Sequence, residues 1–354
     1  MPLVPVCVLA ALCLLGAPSE PGFLVGVNYF AGWWKPLPNK WHTKDGKDWR
    51  PSFPDRIPLL GDYNGQEVMD REIAEAADHG VDFFAVLWYY NPPGTEREPN
   101  ARFLERGLKD FMSSPNAPRM RFMIEFCNHP PYLVSTEEEW RECVAFWVTC
   151  MKHPSYLRVG GKAVFKVHGG HFFVKQNGED VGRCRERLEY LRAEARAAGA
   201  GELLVGCGIG ASEEIPSGHW AAHLFDFTGV YMDLPGLPPT AEDYPYPLLA
   251  DFAAEGRKRH VSDAVPHLPY VPAGWNPRPW GDPRPCFAFP TRQEWVSTLE
   301  KVKRDLAETP VLGLPGQKAF TIYAWNEYGE GGIVAPTRGD GSIKLEAIRE
   351  VFGR

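Results

Sequence analysis

Ala319-Phe-Thr-Ile-Tyr323 runs without interruption into Ala324-Trp-Asn-Glu-Tyr-Gly-Glu-Gly-Gly332. The first five residues read as a buried strand, and the glycines that follow read as a turn. That turn carries two carboxylates three residues apart, Glu327 and Glu330, together with Asn326 and the rings of Trp325 and Tyr328. A strand end needs only turn formers, so acids and aromatic rings gathered there point to chemistry at the C-terminal end of the strand.

The rest of the chain repeats the strand half of this pattern and alternates it with helices. Apolar runs at Phe23–Tyr29, Val81–Trp88, Arg121–Phe126, Ala163–Val167, Leu203–Gly206, Phe227–Tyr231 and His267–Val271 read as strands before Ala319–Tyr323. The seventh is the weakest, because Pro266, Pro269 and Pro272 cannot donate to a ladder. Between them, stripes at helical spacing recur: Met69, Ile73 and Ala76; Phe103, Leu104, Leu108 and Phe111; Trp140, Val144, Trp147 and Met151; Cys184, Leu188, Leu191 and Ala195. A helix is expected around 247–258, and another around Trp295, Leu299, Val302 and Leu306, opened by a capping box of Thr291 and Glu294. Leu345–Phe352 closes the chain as a helix. Eight strand–helix units favour an α/β fold, a single (β/α)8 TIM barrel over residues 20–354, above an open doubly wound sheet.

Bulk properties narrow the partners. The 354 residues carry a net charge of −7, so no general basic surface exists for phosphates, and nucleic acid is not an expected partner. Val4–Pro18 is apolar but too short to span a bilayer, which fits a signal peptide over 1–19 and a secreted or lumenal protein, although no Lys or Arg precedes it. No stable membrane span is expected beyond it. Two of the 8 cysteines, Cys7 and Cys13, lie in that leader. Cys127, Cys143, Cys150, Cys184, Cys207 and Cys286 are scattered and suit either small core residues or one or two disulfides. No Asn-x-Ser/Thr sequon supports secretion.

In a barrel, active sites lie where the strands end, and those positions are rich in polar and aromatic groups. They comprise Asn28 and Tyr29; Trp88, Tyr89, Tyr90 and Asn91; Glu125, Asn128 and His129; His168 and His171; Tyr231 and Asp233; Trp275 and Asn276; and the turn itself with Trp325, Asn326, Glu327 and Tyr328. Tyr29, Trp88, Tyr89, Glu125, Asn128, His129, His168, Tyr231, Trp275, Trp325, Asn326 and Tyr328 are the expected substrate-binding set.

Glu327 and Glu330 are the expected catalytic pair. A tight turn brings residues i and i+3 to one side, and two close carboxylates in unlike surroundings separate in proton affinity, as cleavage of a glycosidic bond requires. The same spacing on a surface turn is merely two solvated acids. Glu125, between Ile124 and Phe126, must be paired, protonated or at the barrel mouth, and reads equally as a substrate contact or a structural ion pair. His168-Gly-Gly-His171 has too few ligands for a metal site, and no metal or other cofactor is expected. Gly206-Cys-Gly-Ile-Gly-Ala211 matches a loose dinucleotide fingerprint, but Pro216 and Gly218 interrupt the helix such a site needs, so a rim turn is the better reading.

Trp325-Asn-Glu-Tyr-Gly-Glu-Gly331 with Ile333-Val-Ala-Pro336 resembles the W-N-E-W-x-E-G…(I/L)-E-P signature of glycoside hydrolase family 99 and the related WbsX-like proteins. Val27-Asn-Tyr-Phe30, Ala77–Tyr89 and His153–Phe165 are similar to other stretches of that family, although only the eighth-strand motif is specific. The resemblance implies a (β/α)8 barrel and retaining, endo-acting cleavage of α-mannosides without a metal, on an oligosaccharide or polysaccharide. It implies that Glu327 acts as base on the substrate's own 2-hydroxyl, giving a 1,2-anhydro sugar, and that Glu330 is the acid/base. Tyr328 stands where the family has Trp and Ala335 where it often has Glu, which touches substrate placement more than chemistry. Two other readings stay open: a WbsX-like glycosyltransferase or other polysaccharide-processing enzyme, and a non-catalytic glycan-binding barrel.

Overall fold

The computed structural model describes residues 22–33, 40–43, 45–62, 65–91 and 104–353. The proposed leader and Phe103 lie outside them.

The chain alternates as its periodicity predicts. Strand β1 (Leu24–Tyr29) is followed by α1 (Gln66–Asp78), β2 (Phe83–Trp88), α2 (Arg106–Ser113), β3 (Arg121–Phe126) and α3 (Glu137–Met151). A short β4 (Arg158–Val159) folds back antiparallel on β5 (Lys162–Val167), and α4 (Gly170–Gln176), α5 (Val181–Ala197), β6 (Leu203–Gly208), α6 (Trp220–Leu224) and β7 (Phe227–Gly229) follow. Then come α7 (Tyr246–Arg259), β8 (His267–Leu268), β9 (Tyr270–Pro272), α8 (Arg292–Glu308) and β10 (Ala319–Tyr323). A hairpin of β11 (Asn326–Glu327) and β12 (Gly332–Ile333) precedes α9 (Ile343–Phe352).

The parallel sheet runs β8-β7-β6-β5-β3-β2-β1-β10-β9. β8 and β9 are two halves of one strand, separated by Pro269, whose carbonyl accepts from Thr321 N at 2.9 Å while its nitrogen offers no donor. Nine parallel segments thus make a nearly closed (β/α)8 barrel, the seventh strand broken where the prolines fall. Thr291 and Glu294 form the capping box expected of α8, and Thr136 with Glu139 forms a second one on α3.

Strand side chains alternate between two layers. Leu24, Phe83, Ala85, Met123, Val164, Leu204, Phe227, Leu268 and Ala319 fill the lower barrel interior, while Val25, Val27, Phe84, Val86, Phe122, Ile124, Phe165, Val205, Phe320 and Ile322 face the helices. Gly26 and Gly206 make room for two interior rings, since a Cβ there would lie 2.1 Å from Phe83 and 2.3 Å from Phe227. Cys127, Cys143, Cys150, Cys184, Cys207 and Cys286 are all buried and none is joined in a disulfide, which decides for core residues. No helix among the described residues is long and apolar enough to cross a membrane.

Candidate active site

Tyr323 ends β10, and the β11–β12 hairpin then folds the two acids over the barrel mouth. Glu327 sits in β11 and its carbonyl accepts from Glu330 N at 3.1 Å and Gly331 N at 2.7 Å, which tightens the turn between them. Gly331 has φ +87°, and a Cβ there would lie 2.7 Å from Asn276 N, so only glycine fits. Asn326 fixes the other flank, accepting from Phe30 N and donating to Phe30 O, both at 2.8 Å.

Each acid receives one tyrosine. Tyr231, just beyond β7, donates its hydroxyl to Glu327 Oε1 at 2.8 Å, and Tyr323 donates to Glu330 Oε2. The two tyrosines pack edge to face, ring centres 5.0 Å apart. Burial, then the neighbouring charge of Glu330, raises Glu327 well above the ordinary carboxylate range, and the Tyr231 hydrogen bond only partly opposes this. Glu330 is raised as well, by burial, against the opposing hydrogen bond of Tyr323 and the charge of Arg284. Burial also pushes both tyrosines up, so they remain donors. Two coupled acids that resist ionising together can hold one proton between them, the condition for an acid and a base in one site.

A second carboxylate cluster lies deeper in the mouth. Glu125, fully buried, accepts from Lys166 Nζ at 3.0 Å, His168 Nδ1 at 2.8 Å and Asn28 Nδ2 at 3.1 Å. Burial works to raise it, but the Lys166 charge and the His168 contact prevail and hold it at about 2. The His168 ring then packs against Tyr231 at 4.8 Å, linking this cluster to the Glu327 side. Glu125 is therefore both a paired buried charge and a member of the mouth.

The remaining expected residues divide by the direction in which they point. Tyr89 lies at the mouth, where its hydroxyl meets Cys127 and feels the charge of Glu327; His129 and Tyr132 pack around it at 5.9 and 4.9 Å. Trp275 packs behind Tyr323 at 6.0 Å, with the Arg284 guanidinium 4.4 Å over its ring. Asn128 clasps Gly169 through both amide atoms and fixes the loop that carries His168. Tyr29, Trp88 and Trp325 are not brought to the mouth. Tyr29 and Trp88 share the outward parity of Val27 and Val86; Tyr29 donates to Glu72 of α1 at 2.7 Å, and Trp88 packs on Phe146 and Trp147. Trp325 also donates to Glu72, at 2.7 Å, and Tyr328 is buried against Trp33 and Trp41. Glu72 thus ties Tyr29 to Trp325 behind the hairpin, Tyr328 anchors its turn on the Trp33 and Trp41 rings, and Trp88 packs against α3.

Sequence reasoning missed Tyr323, Lys166, Glu72 and Arg284. Tyr323 and Lys166 were hidden as members of apolar strands, though each shares the inward parity of its strand, Tyr323 with Ala319 and Lys166 with Val164. Glu72 sits on a helix and Arg284 in the long connection after β9, and neither carries a local signal.

His168 and His171 do not converge, since His168 bonds Glu125 and His171 bonds Glu213. His260, Asp263 and His267 bring ligand atoms within 4.8 Å of one another, at the start of β8, away from the mouth. Asp263 is already occupied by His260 Nδ1 and Ile215 N, and the two rings stack face to face 3.7 Å apart, so their lone pairs run in parallel planes and do not meet at one point. This arrangement does not fit a metal centre.

No known protein family and no curated protein matches the sequence. Solved structures match the fold. A glycoside hydrolase-like protein is 12% identical with a TM-score of 0.60, covering 94% of each chain. The GH99 endo-alpha-mannosidase of Bacteroides thetaiotaomicron is 13% identical with a TM-score of 0.58, covering 93% of this chain and 95% of that one. The exo-beta-1,4-mannosidase Op5Man5 from an Opitutaceae bacterium is 12% identical with a TM-score of 0.51, covering 93% of this chain and 59% of that one. At such identities the likeness is one of fold.

Proposed function

We propose that this chain is a glycoside hydrolase, retaining and endo-acting on α-mannosidic or similar glycan linkages, with Glu327 as base and Glu330 as acid/base. The observation that carries the reading is the pair of carboxylates at the barrel mouth, each bonded to its own tyrosine and both raised in proton affinity. The structural likeness to glycoside hydrolases, among them an endo-alpha-mannosidase, supports the same reading.

The chemistry follows from the roles. Glu327 takes the proton of the substrate's 2-hydroxyl as that oxygen attacks C1; the C1–O bond to the leaving sugar breaks, and Glu330 gives its proton to the departing oxygen. Glu330, now ionised, takes a proton from water, which opens the three-membered ring at C1, and the 2-oxygen recovers its proton from Glu327. Two inversions at C1 give net retention, and no bond to the enzyme forms. Tyr231 steadies the carboxylate form of Glu327, which must lose its proton before the first step.

The test is incubation with a panel of α-mannans and other glycans, following product anomers by NMR. Release of products with retained anomeric configuration is expected, and Glu330→Gln should lower turnover by about 10²- to 10⁴-fold while still binding glycan. Net inversion, or no hydrolysis of any glycan, overturns the reading; unchanged turnover in Glu330→Gln removes that residue from its role.

A further inference from the structure

One cluster of rings on the rim takes no part in the site described above. It joins the connections after β5 and β6. Glu213 Oε1 accepts from His171 Nε2 at 2.9 Å and pairs with His219 Nε2 at 3.2 Å, so one carboxylate oxygen fixes two imidazoles. Trp220 lies between them, 5.2 Å from His171 and 4.9 Å from His219. Its six-membered ring reaches over Gly170, where a Cβ would lie 2.6 Å from it. Phe172 stands beside His171 in the sequence, and both are exposed, His171 with 65% of its side chain accessible.

Two features tie this platform to the mouth. His168, which bonds Glu125 and packs on Tyr231, precedes His171 by a single turn of chain that Asn128 clasps at Gly169. In the strand order β5 and β6 lie across the barrel from β10, so the platform stands on the rim opposite the strand that leads into Glu327 and Glu330. Rigid, partly exposed rings with a fixed carboxylate offer what a pyranose needs, a flat apolar face for its C–H bonds and an acceptor for its hydroxyls.

We infer that His171, Phe172, Trp220 and Glu213 form a distal subsite for a sugar residue of the same glycan chain, remote from the bond that is cut. The inference rests on the glycoside hydrolase reading and extends it. It assigns a preference for chains long enough to cross the mouth.

The experiment compares kcat/KM on a long α-mannan oligosaccharide and on a short aryl mannoside, for the full chain and for His171→Ala, Phe172→Ala and Trp220→Ala. The exposed His171 and Phe172 can be replaced without disturbing the core, which keeps the test independent of any folding defect in Trp220→Ala. Each variant should lose about tenfold on the long substrate and nothing on the short one, and calorimetry of the long oligosaccharide with Glu330→Gln should show the same weakening when His171→Ala or Trp220→Ala is added. An unchanged ratio of long to short activity in the exposed variants overturns the subsite and leaves the hydrolase reading intact. A wild-type protein that cleaves neither substrate overturns the parent reading instead.

Discussion

Tyr231 and Tyr323 meet edge to face at 85°, and each gives its hydroxyl to a different carboxylate of the same hairpin. One comes from the end of β7 and the other from the end of β10, so barrel closure itself sets the geometry of the acid pair. Removing either hydroxyl changes one proton affinity while leaving the ring to pack.

The two removals are expected to move opposite limbs of the pH–rate profile. Tyr231→Phe takes away a bond that favours ionised Glu327, so the base needs a higher pH to lose its proton and the acidic limb of kcat/KM moves up. Tyr323→Phe does the same to Glu330, which must be protonated in the first step, so the alkaline limb moves up. Profiles on one substrate check both; if neither limb moves, the tyrosines are packing residues only.

Glu125 couples stability to acid. Its folded value of about 2 lies below the ordinary value near 4.3, so its contribution is complete above that value and is lost as pH falls toward 2. Glu125→Gln leaves the Lys166 ammonium buried without its counter-charge and should cost about 3–5 kcal/mol in urea unfolding at neutral pH. Adding Lys166→Met should recover a good part of that loss.

His267 acts in a different window. Burial, followed by the charges of His260, Lys166 and Arg257, depresses it well below its ordinary value, so the fold holds it neutral while the unfolded chain takes up a proton. Stability is then full above about pH 6.5 and declines below it by about 1.4 kcal/mol per pH unit. His267→Asn should flatten that slope between pH 6.5 and 5, measured by urea midpoints at each pH.

Gly26→Ala tests the packing of the barrel interior. The added methyl would lie 2.1 Å from the Phe83 ring, an overlap that costs about 1–3 kcal/mol even after the ring shifts. Combining it with Phe83→Leu should be less harmful than the sum of the two changes.

Strand and helix order, the capping box of α8, the broken seventh strand and the position of the two acids were legible in the sequence, because each depends on spacing within a few residues. Hydrophobic period, proline and turn chemistry are local properties of the chain. Tyr29 and Trp88 were misplaced because a strand end exposes both parities to a reader of sequence, whereas the closed barrel sends one face to the mouth and the other to the helices. Tyr231 meets Glu327, and Glu125 meets Lys166 and His168, only when distant strands close into one ring. The tertiary structure alone decided which acids are paired, which are raised and which rings back them, since burial and neighbouring charge are properties of the closed barrel and of no single segment.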